Sequence, residues 1–307
     1  MSLDPSLADP AELGMSAARL QDAAALMERQ YDGGKSPTLV AVVARHGRVV
    51  FTHAVGEHRP GGPPVTIDSI FPLASQTKPM TAAVLLCLVE RGLVGLNEPV
   101  TLHVPELEGL GHGEVMVHHL LTHTSGWHED DVTARLAERM DEIVAGGPLA
   151  ERDLLSRLLL LPGLETPRRE AAGVVMQYCN FNYSLVSEII RRVTGGSFGA
   201  ALRRFVFEPV GMADSAVIVP DEWADRVIQR PPGIPLGPDH AESPISFNDP
   251  LWVKSDDGAT GVHATAVDAV RFGQMILDRG RVGDHRVLSD DAVRVMTTDQ
   301  VPGIPAV

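Results

Sequence analysis

Ser75 and Lys78 stand three residues apart just before the most apolar stretch of the chain, and their types and spacing are the first to suggest chemistry. Pro79 has no N–H to give, so a helix containing it must begin within about one turn upstream, which places Ser75 at or just before the helix N-terminus. A hydroxyl there lies in the positive end of the helix dipole, beside unpaired backbone N–H groups that can also stabilise an oxyanion. One turn on, the Lys78 amine returns to the face of the Ser75 oxygen. Ser-x-x-Lys is thus a nucleophile with a built-in base or charge partner. A capping serine followed by a solvated lysine fits the same pattern. A second polar set, Tyr178 and Asn180, follows a Gly- and Pro-containing approach and precedes an amphipathic stretch. At i and i+2 of an extended turn, the phenol and the amide can face one cleft. A phenol, with an ordinary pKa of about 10, becomes a usable base only where cations lower that value, and Lys78 is the obvious cation. The alternative for Tyr178 is a half-buried packing tyrosine with a hydrogen-bonded hydroxyl.

These groups need a scaffold. Ser16 caps a predicted surface helix with an apolar face of Leu20, Ala24, Met27 and Tyr31 that ends at Gly33-Gly34. The β-branched runs 38–44 and 49–55 meet at His46-Gly47 and predict an antiparallel hairpin. Residues 59–69, rich in Pro and Gly, form a loop leading to Ser75. A central helix over 76–91, apolar on every side between Ala82 and Val89, stops at Gly92. Beyond Leu96, helical patterns at 132–145, 149–161, 182–193 and 265–278 alternate with Gly/Pro loops, and strand signals are scarce. The expected fold class is α+β: an antiparallel sheet flanked by helices, with a large all-helical domain. Residues 1–95 carry the sheet and the nucleophile helix, 96–263 the mostly helical domain, and 264–307 helices that return toward the sheet.

Composition narrows the function classes. The chain has 307 residues, a formal charge of −14 and 44% hydrophobic residues, a composition that suits a packed globular chain and not disorder. No Lys/Arg run offers the clustered positive charge that a phosphate backbone needs, so nucleic acid is excluded as a leading partner. The run Ala82–Val89 is far short of the roughly 18 residues of a spanning helix, so no membrane partner is expected. Met1-Ser2-Leu3-Asp4-Pro5 shows neither a basic nor an apolar signal region, which makes the cytoplasm the expected compartment unless the native start is altered. Cys87 and Cys179 allow one disulfide at most, and that excludes a stapled mini-domain.

The segment Ile67–Met80, with Ser75-Gln-Thr-Lys78 inside it, resembles the nucleophile region of the serine β-lactamase and penicillin-binding-protein superfamily, in its class C β-lactamase-like branch, which also holds esterases and D-amino peptidases. Gly92–Val100, Val117–Gly126, Tyr178-Cys-Asn180, Phe207–Ser215 and Ala264–Phe272 resemble further segments of that branch in the same order and spacing. The resemblance implies a serine hydrolase. Ser75 would be acylated by a small-molecule ester, amide or β-lactam carbonyl, with Lys78 and Tyr178 shuttling its proton and the Ser75 N–H as one oxyanion donor. Asn180 would bind the substrate's amide or help position Lys78. No cofactor and no metal are implied. Activity as an esterase, a β-lactamase or a D-amino peptidase is left open.

The family's third motif, Lys-Thr-Gly or His-x-Gly on a late strand, is not found. Residues 298–307 resemble the stretch that precedes the family's last strands, so the expectation is a truncated chain without those strands. Strands supplied by a partner, or a shortened, non-catalytic member acting as a binding protein, are the alternatives. The approach Glu165–Gln177 is longer and more charged than the family's usual one, and is expected to reshape the cleft entrance. Cys179 reads as a buried, inert thiol in preference to a reactive one. His119 and His123, at i and i+4 with His118, His128, Glu129, Asp130 and Asp131 nearby, suggest a metal site only weakly, because no recognisable ligand pattern accompanies them. Thr124-Ser125-Gly126 lacks the first glycine of a nucleophile elbow and reads as a helix stop.

Overall fold

The computed structural model describes residues 2–109, 111–146, 154–229, 248 and 253–307. Helix α1 (Ala17–Asp32) starts where Ser16 Oγ accepts from the Arg19 N–H at 3.3 Å. Its Leu20 and Ala24 are buried against Phe51, while Met27 and Tyr31 on the same face are half-buried. Phe51 belongs to the expected hairpin, β1 (Thr38–Arg45) and β2 (Arg48–Gly56), paired antiparallel from Thr38↔Gly56 to Arg45↔Arg48. His46 (φ 52°) and Gly47 (φ 74°) both sit in the left-handed region, the two-residue turn whose twist matches that of paired strands. The ladder slips between Val43 and Ala44, a bulge that bends the hairpin.

Strand β3 (Ile70–Pro72) comes next, at the end of what reads in sequence as loop. With β4 (Ser215–Ala216) and β5 (His263–Thr265) it forms a small antiparallel sheet in the order β3-β5-β4. A third small sheet pairs β6 (Arg281–Val282) with β7 (His285–Arg286). The strands beyond the hairpin were not legible, because two or three residues are too few to show a period of two. Correspondingly, the antiparallel sheet expected is, among the described residues, three separate small antiparallel sheets.

Helix α2 (Thr77–Val89) is central, with Met80, Ala83 and the whole of Val84–Leu88 buried, and Gly92 (φ 67°) ends the turn that follows it. The helical body continues through α3 (Val117–Leu121), α4 (Glu129–Gly146), α5 (Leu154–Glu165), α6 (Asn180–Thr194) and α7 (Phe198–Leu202). Helices α8 (Ala266–Leu277) and α9 (Asp290–Thr297) follow, with α8 packed on β1. The segments expected at 132–145, 182–193 and 265–278 are therefore helical, each within three residues at either end. Of the one expected at 149–161, residues 149–153 lie outside the described residues. One cluster of buried side chains joins Met80–Leu88 of α2, Phe181–Ile190 of α6, Val262, Phe272 of α8 and Val293 of α9. Side chains from all three expected stretches share that core. No described helix is long and apolar enough to cross a membrane.

Candidate active site

Ser75 sits in a single 3-10 turn, Ala74–Gln76, between β3 and α2. Ala74 holds φ 46°, a left-handed conformation that costs an L-residue about 1–2 kcal/mol and therefore needs support from its surroundings. The support comes from Val262, next to β5. The Leu73 N–H donates to Val262 O at 2.8 Å, and the Val262 N–H donates to Thr77 Oγ1 at 3.0 Å. One residue thus clamps the chain on both sides of the turn. Ser75 is exposed, and its backbone follows the strained residue at the mouth of α2.

The four polar residues picked out in the sequence converge here. Lys78 Nζ donates to Ser75 Oγ at 3.1 Å, to Asn180 Oδ1 at 2.8 Å and to the carbonyl of Ala259 at 3.0 Å. Three donors meet three acceptors, the full capacity of an ammonium group. Tyr178 Oη lies 2.6 Å from Ser75 Oγ, and Lys78 Nζ is 4.9 Å from the centre of the Tyr178 ring. Lys78 is buried, while Tyr178 keeps 42% of its surface exposed. A buried cation, a phenol and an exposed hydroxyl on one oxygen make an arrangement suited to moving a proton to and from Ser75.

Two carboxylates, neither of which touches Ser75, stand behind this set. Glu129, the first residue of α4, accepts from the Asn180 N–H at 2.7 Å and from Asn180 Nδ2 at 3.0 Å. Asp257, fully enclosed, accepts from the Ala259 and Thr260 N–H groups at 2.9 and 3.1 Å and from Ser184 Oγ at 2.8 Å. Burial pushes its carboxyl above the usual carboxylate range, against those hydrogen bonds and the nearby Lys78 charge. The resulting tight loop aims Ala259 O at Lys78. Thr81 Oγ1 donates to Gly258 O at 2.7 Å and ties the loop to α2.

His123 is the third residue whose place at the site the sequence did not disclose. Its ring packs against Tyr178 and Tyr183, with centroids 4.5 and 5.3 Å apart. Its Nδ1 accepts from the Cys179 N–H at 3.2 Å. Burial, and after it the charge of Lys78, lower its pKa to about 4, so the ring stays neutral at neutral pH. The available signal was its place in the Thr122–Gly126 turn, where it adopts φ 57°. Asp257 had no motif to mark it.

His118, His119 and His128 make hydrogen bonds to different groups. His119 lies in α3, where its Nδ1 accepts from the Met116 N–H at 3.0 Å, whereas His123 lies beyond the end of that helix, so the two do not share a helix face. His118 Nδ1 lies 3.0 Å from Leu96 O, and His128 pairs with Glu170 at 2.7 Å. Among the described residues no group of three or more His, Cys, Asp or Glu is placed to hold a metal ion. Ser125 is buried just past α3 and donates to Asn182 Oδ1 at 2.6 Å. Cys179 is buried, and burial raises its thiol pKa.

The charged approach is anchored along its length. Arg168 bonds Glu114 at 2.7 Å and Gly111 O at 2.8 Å, and Arg169 grips both oxygens of Asp131 at 2.6 and 2.7 Å. Gly173 and Gln177 donate their N–H groups to Thr124 O and His123 O, so the chain reaches Tyr178 along the turn that carries His123.

The family described as Beta-lactamase matches residues 23–307. Esterase EstB of Burkholderia gladioli is 37% identical over 71% of this chain and 55% of its own length. Penicillin-binding protein 4 of Amycolatopsis lactamdurans is 31% identical over 80% of this chain and 61% of its own. The chain spans little more than half the length of these curated relatives. Among solved structures, the octameric penicillin-binding protein homologue from Pyrococcus abyssi superposes with a TM-score of 0.71 at 24% identity, covering 94% of this chain and 62% of that one.

Proposed function

Because the chain belongs to the beta-lactamase family, whose members include esterases and penicillin-binding proteins, we propose that it is a serine hydrolase that works through an acyl-enzyme on Ser75. The observation that carries this reading is the convergence of Lys78 and Tyr178 on one serine oxygen, from positions 103 residues apart in the case of Tyr178. Ser75 Oγ attacks the substrate's carbonyl carbon as its proton passes to the Tyr178–Lys78 pair hydrogen-bonded to that oxygen. Lys78 supplies the positive charge beside the migrating negative charge, and the Ser75 N–H donates to the oxyanion. The C–O or C–N bond to the leaving group then breaks as Tyr178 returns the proton to that group. Water repeats the sequence on the acyl-enzyme and regenerates Ser75. Asn180 has both ends of its amide engaged, by Lys78 and Glu129, which supports a part in orienting Lys78. The second lone pair of its Oδ1 remains for a substrate N–H.

Small esters are the substrate class proposed first. An exposed Ser75 suits an unhindered carbonyl, and EstB is an esterase by name. The protein is expected to hydrolyse short-chain p-nitrophenyl esters, with weaker or no action on nitrocefin. The test is to incubate the protein with a fluorophosphonate or a penicillin probe and map the adduct by mass spectrometry, with Ser75→Ala as the control. A label elsewhere, or full esterase activity in Ser75→Ala, would remove the nucleophile assignment.

A further inference from the structure

We infer that Glu129 is a positioning residue that fixes which way round the Asn180 amide stands, and through it the place of the Lys78 ammonium. The inference rests on the proposed role of Lys78 in acyl transfer.

Asn180 is the first residue of α6, and the residue before it, Cys179, makes no side-chain cap. The Asn180 N–H, one of the opening donors of the helix, finds its acceptor outside α6. The Glu129 carboxylate reaches across from the first turn of α4 and takes the Asn180 N–H on one oxygen and Asn180 Nδ2 on the other. Negative charge is favoured there twice over, by the positive end of its own helix and by that of α6. The two bonds decide the amide's orientation. With Nδ2 on Glu129, the oxygen Oδ1 must face Lys78 Nζ, 2.8 Å away. Turned over, the amide would offer Lys78 an NH2 group, and the ammonium would meet a donor where it now has an acceptor. Two of the three Lys78 acceptors lie off Ser75, and Ala259 O is already held by the loop around Asp257. Glu129 does the equivalent for the other.

The chemistry separates this role from simple space filling. Glutamine has nearly the shape of Glu129 but one oxygen and one NH2, so in either orientation one Asn180 donor faces another donor. The strain is relieved by rotating the Asn180 amide away from Lys78. Aspartate keeps two oxygens but is one methylene shorter. A packing role would favour Gln over Asp, whereas an acceptor role favours Asp over Gln.

The experiment compares wild type, Glu129→Gln and Glu129→Asp in the whole chain, with folding checked by circular dichroism. Two readouts are used: the rate of Ser75 labelling by a fluorophosphonate, and the side-chain 1H–15N signals of Asn180. Labelling of Glu129→Gln should fall about tenfold or more, the size of one lost charge-assisted hydrogen bond. The fall in Glu129→Asp should be smaller. The Asn180 amide signals should move in the Gln variant and stay closer to wild type in the Asp variant. Equal labelling of wild type and Glu129→Gln, better retention by Gln than by Asp, or unmoved amide signals in Glu129→Gln would overturn the inference. If Glu129→Gln does not fold, the amide signals of Glu129→Asp decide, and full loss of the downfield, carboxylate-bonded proton there refutes it. A wild type that never labels at Ser75 brings down the serine-hydrolase reading instead, and the amide signals still decide what Glu129 does.

Discussion

Replacing His123 by Asn should flatten the acid side of the protein's stability curve. The imidazole pKa is lowered to about 4 by burial and by the Lys78 charge, against about 6.5 in an unfolded chain. Between these values the unfolded chain binds a proton that the folded one refuses, so acid favours unfolding. The contribution is fully present above pH 6.5 and is lost as pH falls toward 4. A shift of this size corresponds to about 3 kcal/mol at its limit, of which about 2 kcal/mol is lost between pH 7 and pH 5. The structural cause is burial, with the Lys78 charge after it, while the Cys179 N–H bonded to Nδ1 holds the ring in place. Asn suits the position because φ is 57°, a conformation Asn tolerates better than most residues, and it cannot titrate. It forfeits the ring contacts with Tyr178 and Tyr183, a loss of about 1–2 kcal/mol at every pH. Urea unfolding of both proteins at pH 7 and pH 5 separates the two effects. His58, His112, His119 and His263, whose pKa values are also lowered, are present in both proteins and cancel in the difference. The stability gap should move by about 2 kcal/mol in favour of the variant on acidification. A gap that changes by less than about 0.5 kcal/mol would refute the account of His123 as a ring that must stay neutral.

Tyr178→Phe keeps the ring on His123 but removes the oxygen 2.6 Å from Ser75, so its melting temperature should match wild type while Ser75 acylation falls about 100-fold or more. Acylation kinetics beside a thermal melt check both halves. Gly258→Ala should destabilise by about 1–3 kcal/mol, since a Cβ there would lie 2.7 Å from Ser187 Cβ and 3.1 Å from Tyr183 O. Denaturant titration reads that loss, and slower Ser75 labelling would show the Ala259 carbonyl displaced. Cys87, its pKa raised by burial to about 11, and Cys179, also raised by burial, should resist iodoacetamide at pH 8 until the chain is unfolded. Rapid labelling of either thiol in native protein, followed by mass spectrometry, would contradict their enclosure.

The sequence by itself determined what is local. Ser75 and Lys78 meet because three residues on a helix return to one face, and the Pro79 ring fixes where that helix can start. The hairpin follows from two runs rich in β-branched residues that meet at His46-Gly47, and α2 from an apolar run that needs burial on every side. Tyr178 and Asn180 were recognisable as a polar pair, but only packing brings them to Ser75 across about a hundred residues of chain. Only tertiary structure decided the rest. The ladder β3-β5-β4 is too short to leave a period in the sequence, yet its neighbour Val262 braces the strained turn at Ala74. Glu129 and Asp257 are ordinary acidic residues in the sequence, one in a run of carboxylates and one in a loop, and His123 is one of several nearby histidines. Each touches a neighbour in the Ser75 set and not Ser75 itself. No spacing rule marks such residues, because their positions depend on where two helix ends and one loop come to rest against each other.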